Sequence, residues 1–286
     1  NPGDEVLYPN PGYPIYESQI NYQGGVPLPY RYFQTENGFD IDLDYIAKSI
    51  SAKTKVLILN NYQNPMSASS GKEELKALSE LSIKHDLWVL SDDAYYEIRY
   101  SQNSPRSILN FPGMKQRTVI LYTFSKKFAM TGWRIGASIG PKSLMKHMAR
   151  FNINDESCTN HFIQHALASV LNDGHDYGRE IIKKLIKRRD LCLEKLNSIN
   201  GLNISTPEST FYLFPNVSKI MHKKGYKNLE KFRIDALKNT GVSFCTREHF
   251  GTPSLNEEGQ YIRLAYSGIS RKEISEGLDK FINWIN

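Results

Sequence analysis

Long apolar runs are missing from this sequence. Nothing in its 286 residues approaches the roughly twenty consecutive apolar residues that a bilayer-crossing helix needs, so no membrane partner is expected. Cysteine is scarce: Cys158, Cys192 and Cys245 are odd in number, far apart and without CxxC spacing. That excludes a disulfide framework, gives no metal site, and suits a reducing compartment such as the cytoplasm. Each of the three is expected to be a small core residue. Internal repeats and low-complexity segments are also absent, which excludes a solenoid. No signal peptide is seen; the chain opens on the turn Asn1-Pro2-Gly3-Asp4 and a strand, which reads as the middle of a domain with residues missing upstream. Nor is there a large excess of one charge. Lys and Arg total 36 against 30 Asp and Glu, a net charge of +6 and a pI near 9.0. That balance suits anionic small molecules, and no nucleic-acid partner is expected. The densest basic run, Lys183, Lys184, Lys187, Arg188 and Arg189, falls in a helical pattern and reads as a wet helix face.

What is present is ordinary globular composition, 40% hydrophobic and 23% charged. The length suits one large domain and a smaller one. β-prone apolar runs occur at Val6–Tyr8, Lys55–Leu59, Trp88–Leu90, Val119–Tyr122 and Ile135–Ile139. Helical patterns intervene, most clearly Lys72–His85 with Leu75, Leu78 and Leu81 on one face. This alternation predicts an α/β unit around a mostly parallel sheet flanked by helices. Such sheets present ligand groups beyond the carboxyl ends of their strands. From Pro141 the pattern turns helical, with Ser143–Arg150, His161–Leu171 and Gly178–Ile199, the last stopped by Gly201. A smaller α+β unit follows: strands Thr210–Phe214, Val242–Cys245 and Tyr261–Ala265, helices Leu229–Leu237 and Lys272–Ile285. The expected domains are 1–178 and 179–286.

The most informative stretch runs Thr123-Phe124-Ser125-Lys126-Lys127-Phe128, then Gly132-Trp133-Arg134-Ile135-Gly136. A strand ends in a hydroxyl-bearing turn that presents a lysine, and an arginine follows between glycines. A lysine amine forms a Schiff base with an aldehyde when burial or nearby cations destabilise its ammonium. An arginine fork matches a phosphate, and a threonine hydroxyl adds a hydrogen bond. A Ser-Lys pair alone reads as a surface loop; the full string argues against that.

The string resembles the cofactor-lysine motif of the class I/II aminotransferases, the fold type I family of aspartate aminotransferase. The resemblance implies a pyridoxal 5'-phosphate cofactor held as a Schiff base on Lys126, which also moves the substrate's α-proton, with Lys127 a neighbour. It implies Arg134 and Thr123 as phosphate ligands. Ser91-Asp92-Asp93-Ala94-Tyr95 then matches the family segment in which a carboxylate pairs with the pyridine nitrogen and a tyrosine bonds the ring O3′. Those roles fall to Asp92 and Tyr95, with Asp93 the second choice for the first; taken alone, two acids after a strand read as solvated. Asn60-Asn61-Tyr62-Gln63-Asn64-Pro65 resembles the family's Asn-Pro turn, which gives Asn64 a place at the cofactor and substrate, although Met66-Ser67-Ala68 replaces the usual Thr-Gly continuation. Pro11-Gly12-Tyr13-Pro14-Ile15-Tyr16 resembles the segment that lays an aromatic ring on the cofactor, here Tyr13; by itself it reads nearly as well as a turn with packing tyrosines. Arg263, in Gln260–Ala265, matches the arginine that grips the substrate α-carboxylate. Glu208–Phe214 resembles another family stretch, with Ser209 and Thr210 where glycine is usual.

The family implies an aminotransferase acting on an α-amino acid and a 2-oxo acid, a homodimer, and no metal. It also implies a pocket-lining segment and a phosphate-binding helix start upstream of Asn1, so the chain reads as a fragment or a crippled relative. Two other readings stay open on sequence: a pyridoxal-phosphate-dependent C–S β-lyase, and a non-catalytic cofactor-sensing domain of a regulator.

Overall fold

The computed structural model describes residues 1–36, 38–101, 106–202, 204–254 and 257–286. The chain begins β1 (Glu5–Pro9), α1 (Ile15–Tyr22), β2 (Val26–Tyr30), a hairpin β3 (Tyr32–Thr35) and β4 (Gly38–Ile41), and α2 (Leu43–Ser49). It continues with β5 (Thr54–Leu59), α3 (Lys72–Lys84), β6 (Trp88–Asp92), β7 (Thr118–Thr123), the single turn α4 (Phe124–Lys127) and β8 (Gly136–Ile139). Six strands form one sheet in the order β2-β1-β5-β6-β7-β8. All neighbours are parallel except β7 and β8. Leu57, Ile58 and Leu59 are all buried, as expected of a strand covered on both faces. Helix α3 turns Leu75 and Leu78 to the same core, and Leu81 packs at its border. Gly136 lets β8 approach β7, because a Cβ there would lie 2.7 Å from the Tyr122 carbonyl oxygen.

The second half holds α5 (Lys142–Asp155), α6 (His161–Asn172), α7 (Gly178–Leu196), β9 (Tyr212–Leu213), α8 (Ser218–Lys223), α9 (Leu229–Thr240), β10 (Cys245–Thr246), β11 (Ile262–Ala265) and α10 (Arg271–Ile285). An antiparallel sheet of order β10-β11-β9 packs with α7, α9 and α10. Ser270 and Glu273 close a capping box that starts α10. Ile274, Leu278, Phe281 and Ile285 then bury one helical stripe. This core also takes in Tyr62, Tyr95 and Ile98, from the loops beyond β5 and β6. The carboxyl ends of β5 and β6 therefore meet the last third of the chain.

Several boundaries differ from the sequence expectation. The expected strand Val242–Cys245 is Cys245–Thr246, and Thr210–Phe214 shortens to Tyr212–Leu213. Thr210 sits at φ 61°, a left-handed conformation that no ladder accommodates. Helix α7 stops at Leu196, before the expected Ile199 and Gly201. Helix α5 runs on to Asp155, past the expected Arg150, and buries none of its residues, so no apolar stripe marked its end. Of the cysteines expected in the core only Cys192 is buried; Cys245 is half-buried and Cys158 exposed. In the basic run Lys183, Lys184 and Lys187 are exposed, whereas Arg188 and Arg189 are half-buried and bond the carbonyls of Ser267 and Pro207. Among the described residues no helix is long and apolar enough to cross a membrane.

Candidate active site

The parallel order brings the carboxyl ends of β1, β5, β6 and β7 side by side. The loops leaving those ends carry Tyr13, Asn64, Asp92 with Tyr95, and Thr123 with Lys126.

Lys126 lies in α4, directly beyond β7. It is half-buried, and its Nζ is 5.8 Å from the centre of the Tyr95 ring. Burial lowers its pKa first, the cations Arg134 and Arg263 lower it further, and Asp92 opposes them. The ammonium form is therefore destabilised, as a Schiff-base lysine requires. Lys127 differs: its Nζ is paired with Glu97 at 3.4 Å. That ion pair leaves Lys126 as the amine without a carboxylate partner.

Asp92 ends β6. Its Oδ2 accepts a 2.6 Å hydrogen bond from the Tyr16 hydroxyl, and its Oδ1 accepts from the Ala94 N–H at 3.2 Å. Burial raises its pKa; the Tyr16 and Ala94 bonds and the charge on Lys126 pull it back. Asp93 turns the other way. Its carboxylate accepts from Ser91 Oγ at 2.8 Å and is pushed up to about 6, chiefly by burial. Of the two acids, Asp92 is the one that senses Lys126.

Tyr95 is buried, and its hydroxyl shares a 2.6 Å hydrogen bond with that of Tyr212 in β9. The Arg263 guanidinium, from β11, stacks 4.3 Å from the Tyr212 ring centre and 4.7 Å from that of Phe250. Its NH1 donates to Asn64 Oδ1 at 2.8 Å. Its Nε is buried with no hydrogen-bond partner among the described residues. A carboxylate that bridges one arginine edge takes Nε–H together with NH2, and here NH2 makes a long 3.7 Å contact with Cys245 Sγ. Asn64 itself is buried, in a cis Asn64-Pro65 turn.

Arg134 is exposed, and its NH1 donates to the Thr131 carbonyl at 3.0 Å, which leaves guanidinium donors for an anion. It lines an open cleft of about 1130 Å³ whose walls include neither Lys126, Asp92 nor Arg263. Thr123 ends β7. Its hydroxyl caps α4, accepting from the Ser125 N–H at 3.2 Å and donating to Ser125 Oγ at 2.9 Å. Tyr13 is 45% exposed and meets Tyr16 edge-on, with ring centres 5.9 Å apart.

Ring contacts and hydrogen bonds thus link Tyr13 through Tyr16 to Asp92, a charge interaction links Asp92 to Lys126, and Tyr95 leads through Tyr212 to Arg263 and Asn64. Pyridoxal phosphate fits this set. A depressed lysine suits its aldehyde, a carboxylate suits its ring nitrogen, and Arg134 suits its phosphate. Among the described residues no cluster of His, Cys, Asp or Glu is placed to hold a metal ion. Sequence reasoning gave no role to Tyr16 or Tyr212. Tyr16 stands three residues beyond Tyr13 in the same quoted segment, and Tyr212 was quoted within Glu208–Phe214, but neither partner could be read locally.

The family model for aminotransferases of class I and II matches residues 1–281. An aspartate aminotransferase of Sulfolobus acidocaldarius is 31% identical over all of this chain and 70% of its own length. An asparagine–oxo-acid transaminase of Streptococcus mutans is 32% identical over 93% of this chain and 66% of its own. The crystal structure of an aromatic aminotransferase from Pyrococcus horikoshii superposes with a TM-score of 0.90 at 30% identity, over all of this chain and 74% of that one. The chain thus spans 66% to 74% of the length of these relatives.

Proposed function

The chain belongs to the class I and II aminotransferases, fold type I enzymes that use pyridoxal 5'-phosphate to pass an amino group between an α-amino acid and a 2-oxo acid, and we propose that Lys126 is the residue that carries the cofactor here. One observation carries the reading. Lys126 alone combines a lowered pKa, two flanking arginines and a view of Asp92, while its neighbour Lys127 is tied up by Glu97.

Bound at Lys126, the cofactor supplies an aldehyde for the amine and a cationic ring that accepts the electron pair of the substrate's α-C–H bond. The chain's own residues do the rest. Lys126 Nζ, its ammonium destabilised by burial and two cations, would take the α-proton and return it. Tyr16 donates to Asp92 and favours its charged form against burial; the carboxylate in turn holds a proton on the ring nitrogen. Tyr95, fixed by Tyr212, aims its hydroxyl at the ring oxygen. Arg134 neutralises the phosphate, and Thr123 sets the α4 turn that presents Lys126. Tyr13 covers the ring face. Arg263 grips the α-carboxylate with its planar fork and is itself steadied by Asn64 through NH1. The cited relatives are named for aspartate, asparagine and aromatic substrates. The α-carboxylate is common to all of these.

The same proposal includes domains 1–178 and 179–286, a homodimer, and a cytoplasmic location. The uncovered apolar side chains of α5 and α6 support the dimer: Phe151 is 76% exposed, Ile153 66% and Phe162 64%. The three unpaired cysteines support the location. The test is to load the protein with pyridoxal phosphate and incubate it with each common amino acid and 2-oxoglutarate. Glutamate formation with at least one donor is expected. Release of ammonia and pyruvate instead would reassign the chain to elimination, and no turnover of any donor would overturn catalysis.

A further inference from the structure

Asn60 is outside the ligand set above. It follows β5 directly and is 3% exposed. Its side-chain amide makes two bonds in opposite directions. Nδ2 donates to the Asp92 backbone carbonyl at 2.8 Å. Oδ1 accepts from the Asn64 backbone N–H at 3.1 Å. The Asn64 side chain then accepts from Arg263 at 2.8 Å. One amide therefore joins the residue facing the cofactor ring to the pair facing the substrate carboxylate. The neighbouring side chains lead elsewhere. Gln63 reaches the Pro11 carbonyl at 2.6 Å and the Met66 N–H at 2.9 Å. Asn61 meets the N–H groups of Tyr62 and Ser70 and the Arg106 carbonyl.

We propose that Asn60 is a positioning residue that fixes the distance between Asp92 and the Asn64–Arg263 pair, so that a substrate gripped by Arg263 has its α-carbon over the ring held by Asp92. The proposal rests on the reading of Lys126, Asp92 and Arg263 given above. The residue type follows from the bonds. Only an amide offers a donor and an acceptor on one short fork. Aspartate keeps the acceptor for Asn64 but loses the donor to the Asp92 carbonyl; leucine has similar bulk and loses both.

The test uses the cofactor-loaded protein and 2-aminoisobutyrate as probe. That molecule has the α-carboxylate and amine but no α-hydrogen, so it binds without turnover. Asn60→Leu should retain the visible band of bound cofactor and weaken 2-aminoisobutyrate about tenfold, the size expected when a buried partner is left unsatisfied. The decisive readout is a double-mutant cycle with Arg263→Lys. If Asn60 acts through Arg263, the double variant loses little more affinity than Arg263→Lys alone. Additive losses, or unchanged probe affinity in a folded, cofactor-bound Asn60→Leu protein, overturn the proposal. Should Asn60→Leu fail to fold, Asn60→Asp replaces it in the same cycle with the same expectation. Wild-type protein that takes up no cofactor would overturn the Lys126 reading and this inference with it; wild type that loads while the cycle is additive overturns only this one.

Discussion

The hydroxyl of Tyr16 lies 2.6 Å from Oδ2 of Asp92, so the acid that ends β6 receives a hydrogen bond from helix α1. Burial raises the Asp92 pKa and this bond lowers it. Removing the hydroxyl with Tyr16→Phe therefore raises it further, and a protonated Asp92 cannot hold a cationic ring nitrogen. The acid limb of the kcat–pH profile should move to higher pH, and kcat at neutral pH should fall about tenfold. Rates across pH check this; an unmoved acid limb would refute the tuning role.

Asp93 gives a prediction about stability. Its folded-state pKa is about 6 against an ordinary 3.8, so the native state binds the proton more tightly than the unfolded chain. The stability from this group is fully present below the ordinary value and is lost as pH rises through about 6. Asn cannot titrate, so Asp93→Asn escapes that loss. Relative to wild type, the variant should gain up to about 3 kcal/mol between pH 4 and pH 7. Urea unfolding of both proteins over that range reads the difference. A gap that stays constant with pH would show that Asp93 ionises normally.

Arg263→Lys keeps the charge but loses the planar fork and the contacts with Tyr212 and Phe250. Its KM for the amino donor should rise about ten- to a hundredfold, with a smaller effect on cofactor affinity. Steady-state kinetics beside cofactor titration separate the two. Equal losses in both would move Arg263 from substrate to cofactor binding.

Arg134→Ala should act in the opposite sense. Loss of a charged phosphate ligand should weaken pyridoxal phosphate about tenfold or more. The same variant should lose sensitivity to competing inorganic phosphate. Fluorescence titration, with and without phosphate, tests both effects, and wild-type affinity in the variant would exclude Arg134 from the phosphate site.

Much of the site was readable because its chemistry is local in sequence. Lys126 and Arg134 lie in one short string, and Asp92 and Tyr95 in another, each just beyond an apolar strand. What was not readable depends on distant partners. Tyr16 and Asp92 are 76 positions apart, and Tyr95 and Tyr212 are 117 apart. Strand β2 escaped notice because Pro27 and Pro29 suggest a turn; both are tolerated because β2 is an edge strand. The β3–β4 hairpin, α1, α2 and α8 are short elements whose apolar patterns are too brief to announce themselves.

The central claim, that Lys126 and not its neighbour carries the cofactor, is tested most directly by trapping. The protein is loaded with pyridoxal phosphate, reduced with borohydride, digested, and the modified peptide sequenced by mass spectrometry. The label is expected on Lys126, unchanged in Lys127→Ala and lost in Lys126→Ala. Label on Lys127, or a Lys126→Ala protein that still takes the label within this segment, would contradict it.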